Sequence, residues 1–268
     1  MNTLRENLTA LSNAHRGNLV EWVTERVIHG YCRPGDTAVD VGANYGAHTF
    51  TMCQRVGLQG RVIAYEANPA VAANLVQWTT WRKNLTVVQR ALADFQGEAN
   101  FYVADLTGLS SLNANELERR GKPVEKTISV PVDTLDTNLD ECGVESLRLI
   151  KIDVEGAELA VLRGATATLE RYSPVIVVEM AAAALMRREP DAYARFQRET
   201  LADRYLLMSV VGEIVDEAPV ASDYQFVLVP KADRAVVDRI TALVRASCQR
   251  FFSEGLQDWT PYLKFQKR

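Results

Sequence analysis

AVDVGANYGAHT, residues 38–49, is the stretch on which the fold turns. A short apolar run carrying one acid, Asp40, meets Gly42; Gly46 follows four residues later, and a helix-compatible run begins at Ala47. A buried strand that turns on glycine into a helix is the usual ligand loop of an open α/β sheet. Several ligands use such loops, so the residue types inside the turn have to discriminate among them. A phosphate-clamping loop needs Gly-Lys-Ser/Thr at its end, but Gly46 is followed by Ala-His-Thr. A dinucleotide loop needs a middle glycine so that bare backbone reaches a pyrophosphate, and Asn44 holds that place.

Asp40 beside the turn repels a pyrophosphate and attracts a cation. S-adenosylmethionine, which lacks phosphate and carries an ammonium and a sulfonium, fits better than NAD. RVIAYEANP, residues 61–69, supplies a second strand that ends at Glu66, spaced to accept hydrogen bonds from ribose hydroxyls. That acid alone is shared with NAD sites. The set of Asp40, the Gly42 turn and Glu66 favours the methyl donor.

Working outward, helical runs after Gly46 and after Pro69 alternate with strands through LTVVQRALAD, residues 85–94. This β-α-β-α-β order with short joints predicts a parallel sheet covered by helices on both faces. It places the strand ends bearing Asp40, Glu66 and Ala91 along one edge. Upstream, Leu19, Trp22, Val23 and Val27 share one helical face. Residues 1–33 are therefore expected as a helical cover, 34–230 as the core, and 231–268 as a helix with an aromatic tail, all in one domain. EANFYV and KTISVPV suit two antiparallel strands, and the polar stretch 105–122 between them is a candidate lid.

A second cluster lies in LIKIDVEGAELAVLRGA, residues 149–165, where an apolar strand ends in Asp153 and Glu155 and Glu158 flank Gly156. The next strand, PVIVVEM, ends with Glu179. Acids at the carboxyl ends of parallel strands face the ligand crevice. Such groups can raise one another's pKa and act as a general base, or they can hold a divalent metal. For Glu158 the simpler expectation is charge complementarity at a helix amino terminus. His48 is expected to be a packed or solvated helix residue.

Composition narrows the classes. A 268-residue chain with 47% hydrophobic residues can bury a large core, and a net charge of −4 gives no global field for a nucleic-acid backbone. Four scattered cysteines and three histidines supply no zinc or disulfide pattern. No stretch has the length of a membrane span, so the expectation is a cytoplasmic protein without nucleic-acid or membrane partners. A homodimer remains open.

DVGANYGAHT, AYEANP, ALAD and IKIDVEGAELAVLRGA, followed by PVIVVEM, together resemble the FkbM family of S-adenosylmethionine-dependent methyltransferases over roughly Asp36 to Met180. The resemblance implies a class I methyltransferase, Rossmann-like fold: a seven-stranded, mostly parallel sheet with its last strand antiparallel. It also implies that Asp40, Gly42, Asn44 and Gly46 hold the methionine part of the donor and Glu66 its ribose. Ala91 and its neighbours would border the adenine, and Asp153 would lie near the transferred methyl. The expected activity is O-methylation of a hydroxyl on a small acceptor, a sugar or secondary metabolite, with S-adenosylhomocysteine as product. Asp153 is the first candidate base, with Glu155 and Glu179 as alternatives. Two rival readings are a magnesium-assisted version, which is less favoured, and a non-catalytic methyltransferase-like binding subunit.

Overall fold

The computed structural model describes residues 3–104, 110–119, 121, 123–180, 191–201, 203–215 and 225–259. The chain divides into two compact units, Arg33–Met180 and the combination of Met1–Cys32 with Ala181–Arg268. The main sheet is the expected seven-stranded, mostly parallel one.

In the Arg33–Met180 unit, β1 (Thr37–Val41) lies between β2 (Arg61–Tyr65) and β7 (Leu149–Ile152), parallel to both. β3 (Leu85–Val88) extends the sheet beyond β2, and β8 (Val175–Glu179) extends it beyond β7, again in parallel. The inner strands are buried on both faces, which explains their near-continuous Val/Ile/Leu runs. Two crossovers matter for the site. α3 (Ala47–Val56) links β1 to β2, and α4 (Pro69–Thr79) links β2 to β3, started by the Asn68 side chain accepting from the Ala70 N–H and by proline in its first turn.

The third expected strand is divided. β3 stops at Val88, the Arg90 N–H turns back to the Val88 carbonyl, and β4 (Ala91–Leu92) joins a separate three-stranded sheet, β4-β6-β5. The expected pair of antiparallel strands forms here as β5 (Gly97–Ala104) and β6 (Val124–Asp133). Asp133 explains the break. Its carboxylate accepts from Arg90 Nη1, Gln96 Nε2, the Thr134 N–H and Asn138 Nδ2, and these bonds draw residues 90–96 away from the main sheet. Desolvation works against the charge of Asp133, but the bonds from Gln96, Thr134 and Arg90 outweigh it, and its pKa lies below the ordinary value. Of the stretch 105–122, residues 105–109, 120 and 122 lie outside the described residues; α5 (Ala114–Arg119) lies within it.

In the other unit α1 (Leu4–Ala10) begins with a reciprocal Thr3/Glu6 cap, and α2 (Asn13–Tyr31) buries Leu19, Trp22, Val23 and Val27 as the periodicity requires. The short helix α9 (Ala192–Phe196) precedes the antiparallel pair β9 (Tyr205–Ser209) and β10 (Gln225–Pro230). α10 (Arg234–Ser253) packs on α2, where Trp22 Nε1 donates to the Ser247 carbonyl at 2.9 Å. From the aromatic tail Trp259 meets the Trp22 ring edge-on at 5.0 Å, whereas Tyr262 and Phe265 lie outside the described residues.

Candidate functional site

The β1–α3 turn is held by backbone. The N–H groups of Gly42 and Ala43 both donate to the Tyr65 carbonyl at 3.0 Å, which pins the turn to the end of β2. Gly42 has φ +79, and a Cβ there would stand 1.8 Å from the Asp153 carbonyl oxygen, so the close approach of the β1 and β7 exits requires glycine. Asn44 also lies in the left-handed region, at φ +48. Gly46 caps α3 without a side-chain cap hydrogen bond.

Glu66, buried at the end of β2, closes this loop from the other side. Its Oε2 accepts from the Asn44 N–H and its Oε1 from the Asn68 N–H, both at 2.8 Å. Burial is the main force raising its pKa, opposed by those two bonds. A carboxylate has about four lone-pair sites. Two are used by the backbone, which leaves two for hydroxyl donors.

Asp40 is fully buried. Its Oδ2 accepts from Thr49 Oγ1 at 2.6 Å, and its Oδ1 lies 3.7 Å from Lys151 Nζ without a hydrogen bond. Lys151 Nζ in turn donates to Asp153 Oδ2 at 3.2 Å. An ammonium with 7% exposure thus stands between the two acids singled out in the sequence, one per strand exit. Lys151 is the site residue missed in the sequence analysis, and the available signal was a lysine inside the otherwise apolar strand LIKI.

Past Asp153 the chain turns through Glu155 at φ +55 and Gly156 at φ +105. The turn is fastened by Ser111 Oγ, which donates to the Glu155 carbonyl at 2.7 Å, and by the Gly156 N–H, which donates to Glu158 Oε1 at 2.8 Å. Glu158 opens α7 (Glu158–Arg163), but as a buried acid holding the turn and not as an exposed charge complement. Burial pushes its pKa from the ordinary 4.5 to about 7; the N–H groups of Gly156, Glu158 and Val154 pull it down, and the nearby Asp153 charge adds to the rise.

A group whose folded pKa is raised stabilises the fold below its unfolded pKa and loses that contribution as pH rises through the folded value. Glu158→Gln, permanently neutral, is therefore expected to flatten this dependence. On acidification from about pH 8 to about pH 5 the wild type should gain about 2 kcal/mol relative to the variant. Urea midpoints of both proteins at the two pH values check it, and parallel shifts would reject the role of Glu158.

The structure brings Asp40, Gly42 and Asp153 together and ties Asn44 to Glu66. Ala91, just past the end of β3, pairs with Val132 in the small sheet and belongs to a cluster with Phe101 and Val130, against which Ala67 packs. Glu155 faces Ser111 through its carbonyl, and Glu179 ends β8, two strands from β1. Among the described residues no group of three or more His, Cys, Asp or Glu is placed to hold a metal ion. His48 is buried in the first turn of α3.

A parallel sheet of this order, with a glycine turn after β1 and an acid closing β2, defines a Rossmann-like protein of the class I methyltransferase fold. The chain belongs to the methyltransferase FkbM domain family, whose model matches residues 40–200. Among curated relatives it is 27% identical over 149 residues to 2-O-methyltransferase NoeI of Sinorhizobium fredii, covering 52% of this chain and 61% of that one. It is 28% identical over 143 residues to the hexuronic acid methyltransferase AglP of Haloferax volcanii, covering 53% and 55%. The chain thus spans little more than half the length of either relative. Among solved structures it is similar to methyltransferase FkbM from Methylobacillus flagellatus, with 14% identity, a TM-score of 0.47 and coverage of 84% of this chain and 57% of that one.

Proposed function

We infer that the chain is an S-adenosylmethionine-dependent O-methyltransferase acting on a hydroxyl of a small molecule, a sugar or secondary metabolite. The observation that carries the donor reading is the unfilled hydrogen-bonding capacity around the glycine turn. Asn44 Oδ1 is buried without a hydrogen-bond partner, Glu66 keeps two acceptor sites spare, and Asp40 Oδ1, 3.7 Å from the Lys151 ammonium, accepts no hydrogen bond. Buried polar atoms of this kind are rarely left unpaired, and here they suit an ammonium group and ribose hydroxyls. The hydroxyl acceptor is supported by the names of the two relatives, an O-methyltransferase and a hexuronic acid methyltransferase.

S-adenosylmethionine bound there supplies an electrophilic methyl group next to a sulfonium. The chain's own part is alignment, because holding reactants near attack distance accounts for several kcal/mol, about 7–11 in favourable cases. Gly42 lets the β1 and β7 exits close on each other, and the Asp40–Lys151–Asp153 series fixes their side chains. Asp153, the less buried of the two acids, is the group we assign to receive the acceptor proton.

Calorimetric titration with S-adenosylhomocysteine tests the donor site. Glu66→Gln keeps one acceptor oxygen but turns the other into a donor. It is expected to weaken binding by about tenfold or more, through one or two lost charge-assisted bonds. Unchanged affinity in the variant, or tighter binding of NAD by the wild type, would sink the reading.

A further inference from the structure

A second surface of the Arg33–Met180 unit has no part in the donor site. Among the described residues eight large hydrophobic side chains stand exposed; Tyr45 lies in the glycine turn, whereas Leu58, Val76, Trp78 and Trp81 fall within residues 58–81. Leu58 is 83% and Trp81 81% exposed, values that a side chain fastened to its own core does not reach. The two connections that carry them meet. Asn84, in the turn after Trp81, donates from Nδ2 to the carbonyls of Cys53 and Gly57, which places this turn on the end of α3 just before Leu58. Both lie in helix-to-strand connections, and so at the amino-terminal edge of the sheet, opposite the glycine turn.

The helix leading into this edge is unusual in composition. α4 has its Val71, Ala72 and Leu75 buried, yet PAVAANLVQWT carries no charge on its outer side either. A surface helix ordinarily puts charged residues there. The exposed Ala73, Asn74 and Gln77 occupy it instead, and Trp78 flanks the buried stripe with its ring edge-on against Phe50 at 5.1 Å. Charge follows at the end of the helix as Arg82 and the exposed Lys83. From Val41 to Ala93 the only acid is the buried Glu66, against Arg55, Arg61, Arg82, Lys83 and Arg90, in a chain whose net charge is −4.

We propose that Leu58, Trp78 and Trp81, with Arg82 and Lys83, form a peripheral docking surface for an anionic lipid membrane. Indole rings partition to the lipid–water interface, and Lys or Arg beside them is attracted to anionic headgroups. The aliphatic Leu58 has an apolar phase to enter there, which a nucleic-acid backbone does not offer. A symmetric dimer through this patch would set the two basic ends against each other. The proposal differs from the sequence expectation of no membrane partner, which rested on the lack of a spanning segment; no helix among the described residues is long and apolar enough to cross a bilayer. Docking by this edge leaves the glycine turn directed away from the lipid.

The test is co-sedimentation of the full chain with phosphatidylglycerol-containing vesicles and with phosphatidylcholine vesicles. The wild type is expected to bind the anionic vesicles, with binding that falls as salt is added. The exposed-site variants Leu58→Ser/Trp81→Ser and Arg82→Glu/Lys83→Glu, checked for fold by circular dichroism, should each lower the bound fraction about tenfold. A blue shift of tryptophan emission on binding should shrink in Trp81→Phe. The proposal is overturned if the wild type stays in the supernatant or if both double variants bind like the wild type. It is equally overturned if the substitutions abolish lipid-free self-association, or if the same patch retains DNA in preference to vesicles.

Discussion

Gly42→Ala is expected to unfold the site. The added methyl group would lie 1.8 Å from the Asp153 carbonyl oxygen, and both partners are backbone, so no side-chain rotation relieves the overlap. Moving β1 from β7 would break the Asp153 N–H bond to the Val41 carbonyl and disturb the Gly42 and Ala43 bonds to Tyr65. Left-handed strain and overpacking together cost on the order of 3 kcal/mol or more, a fall of roughly 10 °C in Tm for a chain of this size. Gly35→Ala is the control, because Gly35 has φ +90 with open space around its missing Cβ. It should show the backbone strain alone, about 1 kcal/mol. Equal melting temperatures for the two variants would mean that the β1 and β7 exits are not held as closely as described. Residual folded Gly42→Ala protein should also bind S-adenosylhomocysteine poorly, since the turn that presents Asn44 is displaced.

Lys151→Met is the second large effect. The substitution fills similar space but leaves two carboxylates without their cation. Breaking a buried pair in this way costs roughly 3–5 kcal/mol, more than the pair itself contributes over apolar replacements. The two acids should not share the damage equally. Lys151 donates a hydrogen bond to Asp153, but the Asp153 side chain keeps 24% exposure, against 1% for Asp40. Water can solvate the first acid and not the second. Asp40→Asn in the Lys151→Met background should therefore recover more than half of the lost stability, and Asp153→Asn much less. Denaturant unfolding of the single and double variants measures the two coupling energies. A larger coupling to Asp153 would show that hydrogen bonding, and not burial, governs the series.

Much of the molecule was legible in the chain itself. The alternation of Val/Ile/Leu runs with helical periodicity, and the Gly42 and Gly46 punctuation, determined a parallel α/β sheet with a ligand turn after its first strand. Local chemistry of that kind depends on neighbours a few residues apart, and it reads directly. Asp40, Glu66 and Asp153 also stood out, because an acid ending an apolar strand breaks its pattern.

Tertiary structure decided what those residues touch. Lys151 is a lone charge in an apolar strand, and only the pairing of β1 with β7 sets its ammonium between Asp40 and Asp153. Ala91 continues an apolar run in sequence, yet four partners on Asp133, two of them more than thirty residues away, draw it into another sheet. Glu158 looks like an ordinary helix-start acid until burial raises its pKa. Periodicity and turn residues are properties of short segments, whereas burial, ion pairing and the choice between sheets depend on distant chain brought together by folding, and these contacts place the chemistry at the site.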